Sequence, residues 1–329
     1  MTGGLLALLS AVTFAYSNAS VRRGVLTGTV LQAVGISLPV ALPVFTLAML
    51  LTGGFPILLG FPARSWSLLA FAGVIHFGWA RYCNYRATKA IGANLVAPVQ
   101  QYGLIIALVL AVLWLGEQLT PLRMIGIVLV VAGPMLTLKP VKSVAAEVAS
   151  ETTDEPRFVP AYAEGYFYAL LSTIGFGMSP ILIRLAFETK GVAMGIAGGF
   201  ISYLAATVAV ALLLMLPGRW TSFRDIDRQT TKWFVISGLT VCVSQMFRYM
   251  ALAIAPVSVV TPIQRLSIVF RIYFGWIVNP KHEVFGGRVV AGTLVSLIGA
   301  VALTASTDSV IHLIPLPARV AAWLTWHWP

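Results

Sequence analysis

Ala97-Pro98-Val99-Gln100-Gln101 recurs as Thr261-Pro262-Ile263-Gln264-Arg265. The two prolines lie 164 positions apart, half of the 329-residue chain. Proline and glutamine are both poor choices inside an apolar run, so two copies in register point to an internal duplication. More matches follow. At an offset of 162, Leu8-Leu9-Ser10, Phe14, Ser17 and Arg22 meet Leu170-Leu171-Ser172, Phe176, Ser179 and Arg184. At 164, Tyr85 and Ala87 meet Tyr249 and Ala251; at 166, Gly126 and Gly133 meet Gly292 and Gly299. The drifting offset places short insertions in the connections.

Composition fixes the solvent. The chain is 58% hydrophobic and 10% charged, where a soluble domain averages roughly 25% charged residues. Mean hydropathy is +0.89. The apolar residues cluster into ten runs, near 3–21, 30–52, 66–88, 93–115, 119–138, 164–186, 193–216, 232–253, 257–279 and 285–305. About 20 residues suffice to cross a bilayer, and open sheets cannot span lipid, so each run predicts a transmembrane helix. Only Met1-Thr2 precede Gly3, which argues against a cleaved signal peptide. Cys83 and Cys242 both fall in spans, so no disulfide framework and no metal-ligand spacing is present. The net charge of +11 fits basic loops at a membrane surface, and nucleic acid is not expected as a partner.

The expected division is a first five-helix repeat over 1–138, a polar linker over 139–163, a second repeat over 164–305 and a C-terminal tail over 306–329. The linker carries Glu147, Glu151, Asp154 and Glu155 and lacks apolar periodicity, which predicts a mobile segment. The tail is broken by Pro315 and Pro317, and its Trp323, Trp326 and Trp328 suit a membrane interface. Five is odd, so two halves that fold alike must be inverted in the membrane. Basic residues agree. Arg22, Arg23, Arg81, Arg86 and Lys89 follow helices 1 and 3, while Arg219, Arg224, Arg228, Lys232, Lys281 and Arg288 follow helices 7 and 9. Odd-numbered loops share one side, and the positive-inside rule makes it cytoplasmic, leaving both termini outside. Arg22 and Arg81 count only if they lie in loops.

Leu115-Gly116-Glu117-Gln118-Leu119-Thr120, followed by Gly126 and Ala132-Gly133, resembles the end of an EamA repeat of the drug/metabolite transporter superfamily. The resemblance covers both halves and weakens in the second, where Pro280-Lys281-His282-Glu283 replaces the glycine-glutamate turn. It implies an all-α, ten-helix protein of two inverted repeats that carries small metabolites by alternating access. It also implies cytoplasmic termini, against the charge count. Glu117 reads better as a turn residue than as a proton site, because Thr120-Pro121 make an N-cap and first-turn proline for helix 5.

None of the eleven acidic residues sits mid-span. A proton-coupled exporter of cations normally needs a buried carboxylate, so cationic drugs are disfavoured. Arginines show the opposite pattern. Arg265 lies inside helix 9, one position after the repeated Gln264, and an arginine at a helix centre costs about 2.5–3.5 kcal/mol on insertion scales. Its planar fork suits carboxylate or phosphate, so Arg265 is the expected anion holder. Gln101 is its repeat partner. Pro98 and Pro262 are expected helix breaks, and Gln100 and Gln264 serve either the solute or interhelical hydrogen bonds. Arg81-x-x-Asn84-Tyr85 aligns with Gln245-x-x-Arg248-Tyr249, each an arginine, an amide and a tyrosine on one helix face, expected to meet across a central cavity. Arg86 and Arg248 lie near helix ends, where snorkelling relieves their cost. His76 reads as a packing histidine or as a lining group that titrates near neutral pH. Tyr16, Ser17 and Asn18 add polar lining from helix 1.

These readings favour a carrier of a small organic anion or zwitterion in the bacterial cytoplasmic membrane. A monomer or homodimer is expected, with the solute and the lipid bilayer as partners and no cofactor. The alternative is a flippase for an anionic lipid or lipid-linked headgroup. No catalytic set of residues falls within the spans, which disfavours an enzyme. A non-transporting receptor leaves the intramembrane arginine without a role.

Overall fold

The computed structural model describes residues 2–25, 27–91, 93–116, 120–137, 161–219, 223, 226–278 and 287–304, with 317 and 319. The linker and nearly all of the tail lie outside these residues. The described chain is helical, with no strand among the described residues. We label ten helical units: α1 (Thr2–Val25), α2 (Val30–Thr52), α3 (Ala63–Ile91), α4 (Ala93–Leu115), α5 (Pro121–Thr137), α6 (Tyr162–Ala186), α7 (Val192–Leu214), α8 (Arg228–Ile254), α9 (Val257–Gln264 and Ser267–Val278) and α10 (Gly287–Thr304). Among the described residues six helices are long and apolar enough to cross a membrane; a seventh arises if Gly54–Gly60 and Ala63–Ile91, bent by 106°, count as one span.

Local chemistry sets the ends. Thr29 caps α2 in a reciprocal pair with Gln32. Gly116, at φ 63°, supplies the left-handed turn after α4. Thr120 Oγ1 then accepts the Arg123 N–H at 3.3 Å, one residue before Pro121 opens α5. Asp227 caps α8 by accepting the Thr230 N–H at 2.8 Å, and those bonds hold its carboxyl below the ordinary carboxylate range. Pro39 sits in the turn that splits α2 into Val30–Ser37 and Ala41–Thr52, because proline cannot donate to the helix ladder.

The helices pack in exchanged pairs. α1 lies on α8 as α6 lies on α3; α1 meets α9 as α6 meets α4; α2 meets α8 as α7 meets α3. α5 packs on α10, α2 on α7 and α4 on α9, so these contacts map onto themselves. This is the contact pattern of a two-fold between halves. Direction follows from side chains. Ser10 bonds Ser244 and Ser17 bonds Ser237, so α1 and α8 run antiparallel. Gln264 reaches Ser10, Phe274 packs edge-on against Tyr16 and the Val278 carbonyl accepts from Arg23, so α1 and α9 run parallel. Small residues permit the approach. A Cβ on Gly73 would overlap the Ser202 backbone, and one on Gly238 would lie 2.9 Å from the Ser37 Cα, the same contact in the other half.

Three features depart from a plain ten-helix reading. The short helix Gly54–Gly60 precedes α3. Val74–Ala80 within α3 is π-helical, a wide turn that re-aims the residues around it. The expected proline breaks do not match each other: α4 runs unbroken through Pro98, whereas α9 stops at Gln264 and resumes at Ser267. Pro98 and Pro262 occupy the same position of their helices, so proline alone does not break α9. The turn comes after Pro262, where the N–H groups of Arg265 and Leu266 donate three residues back, to the Pro262 and Ile263 carbonyls.

Candidate functional site

The turn in α9 opens onto a cavity between the two halves. Its volume is about 50 Å³, and it is lined by Phe14, His76, Gln100, Phe176, Pro180, Gln245, Arg248, Thr261, Gln264, Arg265 and Ser267. Six of the twelve expected solute-binding residues meet here: His76, Gln100, Gln245, Arg248, Gln264 and Arg265.

The polar groups are held by one another. Arg248 is 2% exposed. Its Nη1 donates to Gln245 Oε1 at 3.1 Å and lies 3.2 Å from His76 Nε2, and its Nη2 donates to Ser179 Oγ at 3.4 Å. Gln100 Nε2 donates to Asn84 Oδ1 at 2.6 Å, which fixes Asn84 behind the cavity wall. Gln264 Nε2 donates to Ser10 Oγ at 2.9 Å, and Ser10 in turn bonds Ser244. Both repeated glutamines therefore tie helices together and line the cavity.

Arg265 differs. It is half-buried and its guanidinium makes no hydrogen bond among the described residues. It reaches across to α4, where a Cβ on Gly103 would lie 2.9 Å from Nη2. The absence of a side chain at Gly103 leaves room for the guanidinium in this position. Among the described residues the lining contains no Asp or Glu. The described acids lie elsewhere: Glu164 pairs with Arg86 at 2.7 Å, Glu188 is exposed and Asp227 caps α8. Among the described residues no group of His, Cys, Asp and Glu could hold a metal.

Of the other expected residues, Arg81, Asn84, Tyr85, Tyr249 and Tyr16 do not line the cavity. Arg81 is 4% exposed; it stacks over Phe77 at 5.1 Å and donates to the Tyr203 hydroxyl on α7 at 3.3 Å. Arg81 is thus interior and drops out of the loop charges counted above. Tyr85 and Tyr249 are buried. Tyr16 packs edge-on against Phe274 at 5.4 Å. The side chain of Gln101 lies outside the described residues. Of the two matched helix faces, only that of α8 reaches the cavity directly; on the α3 face Arg81 turns to Tyr203 of α7 and Asn84 to Gln100 of α4. Phe14, Phe176, Pro180, Thr261 and Ser267 complete the lining. Phe14 and Phe176 are repeat partners, and that match was their only signal in the sequence.

The model of the EamA-like transporter family matches residues 1–139 and 163–305. The chain belongs to the EamA-like transporter family. This EamA-like chain is accordingly a polytopic, all-α integral membrane protein. It is also similar to an uncharacterized transporter in the cobO 3'region of Sinorhizobium sp, 33% identical over 76 residues. That match takes in 23% of this chain and about half, 52%, of the relative. One solved crystal structure has the same fold, with a TM-score of 0.64 at 16% identity over 92% of this EamA-like chain and 95% of the other.

Proposed function

We propose that the protein is a secondary transporter, not an enzyme, that moves a small organic anion or zwitterion across the cytoplasmic membrane by alternating access. One observation carries the reading: Arg248 and Arg265 line one cavity inside the helix bundle, and among the described residues no carboxylate lines it with them. A buried cation without a counter-charge is costly. A carboxylate or phosphate entering the cavity relieves that cost and gains charge-assisted hydrogen bonds worth about 1.5–3 kcal/mol each. Phe14 and Phe176 offer apolar walls for the rest of the solute, and Gln245 and Gln264 offer amides for a neutral or ammonium end.

The repeat division at 1–138 and 164–305, joined by a linker over 139–163, is part of the proposal. The two matched segments of the family model support it. Inverted repeats give alternating access a mechanical basis, because exchanging the conformations of the two halves opens the opposite side.

The test is a thermal-shift screen of the purified chain against carboxylates, phosphates, amino acids, nucleosides and organic cations. Ligand at a hundredfold excess over Kd stabilises the folded state by about 2.7 kcal/mol. Stabilisation by anions alone, lost in Arg265→Ala, is expected. Stabilisation by organic cations, or anion effects that survive Arg265→Ala, would overturn the reading.

A further inference from the structure

His76 is the one imidazole that lines the cavity among the described residues, and its setting couples it to the anion. The ring is 7% exposed and packed against Phe77 and Phe176, with centroids at 4.7 and 4.8 Å. Arg248 Nη1 lies 3.2 Å from its Nε2 and 3.3 Å from its Nδ1. Nearly equal distances to the two nitrogens place the guanidinium over the ring face, not on one lone pair. Protonating the ring there would put two cations in contact.

Every charged group facing the ring among the described residues is positive. α8 brings Arg248, α9 brings Arg265, and α3 itself carries Arg81 one turn on. α7 contributes only the Tyr203 phenol, already bonded to Arg81. α6 contributes Phe176 and Ser179, and α1 contributes Phe14, none of which titrates.

An anion between Arg248 and Arg265 changes each of these terms. It draws Nη1 away from the ring as a donor of its own. It adds a negative charge beside the imidazole and supplies an acceptor for a ring N–H. Binding of the anion then favours binding of a proton, and the reverse holds to the same degree. We propose that His76 is a proton-binding site of the transport pathway and that about one proton enters with each anion. The inference rests on the anion reading above. It assigns the energy source: an inward proton gradient drives the anion in the same direction, and the proton leaves the ring when the anion departs.

The experiment is isothermal titration of the full chain with sulfate and with acetate, in two buffers of different ionisation heat, between about pH 6 and 8, where neither probe changes charge. Uptake approaching one proton per anion is expected, with affinity tightening by up to about tenfold for each pH unit lowered. In His76→Gln the proton uptake and the pH dependence are expected to vanish from whatever probe binding remains. Wild-type binding without proton uptake overturns the inference and leaves the anion site standing, and needs no variant to fold. Uptake that persists in His76→Gln overturns His76 as the site. If neither probe binds the wild type, or binding survives Arg265→Ala, the anion reading fails and the proton inference falls with it.

Discussion

α4 and α9 are the same helix written twice, and they end up different. Both carry proline at the same position and glutamine two residues later. α4 continues straight through, with Gly103 where α9 has Ser267. α9 turns at Arg265 and hands its guanidinium across to Gly103 of α4. One copy supplies the charge and the other supplies the space for it. Duplication gives a symmetric scaffold; substitution at two matched positions gives it one charged side.

The largest expected effect comes from erasing that difference. Arg265→Gln restores the residue of the first copy. It should weaken anion binding about tenfold to a hundredfold, the loss of one or two charge-assisted bonds, as read by thermal shift. Gly103→Ala attacks the other side. Its Cβ crowds Arg265 Nη2 at 2.9 Å and the Thr173 carbonyl at 3.2 Å, so anion affinity should fall by about tenfold, and less in a background that already lacks Arg265. Pro262→Ala asks what causes the turn. Pro98 sits in an unbroken helix, so binding should stay within about threefold of wild type; a larger loss would return the break to proline.

The smallest effect concerns another mismatch between the copies. α8 begins with the Asp227 cap, whereas its partner α3 begins after Pro62 with no side-chain cap. The Asp227 carboxyl titrates below its ordinary range, chiefly because of the bonds from Thr230. Its contribution is therefore present above the unfolded carboxylate range and is lost as pH falls through the lowered one. Thermal melts between about pH 3 and 6 should show this dependence in the wild type and a flatter profile in Asp227→Asn.

Much of the architecture is legible in the chain, because lipid demands long apolar runs and a duplicated pattern appears twice. Arg265 and the two glutamines stood out in the sequence because polar groups inside spans need a reason, whereas Arg248 also read as interfacial and His76 as packing; all five line one cavity. Other parts were not legible. The helix Gly54–Gly60 and the π-helical turn Val74–Ala80 depend on neighbours, and no local residue announces them. Counting i, i+3, i+4 along α3 put Arg81 in the cavity; its bond to Tyr203 holds it elsewhere. Phe14 and Phe176 were visible as a matched pair, yet aromatic residues are ordinary in membrane helices and the match alone gave no role.

The central claim is that the charged copy grips an anion opposite the glycine of its partner. A structure of the purified protein with selenate, located by its anomalous scattering, tests this directly. The account predicts one site within hydrogen-bond distance of both the Arg265 and Arg248 guanidiniums, absent in Arg265→Gln. Selenate bound only outside the cavity, or held unchanged in Arg265→Gln, would contradict it.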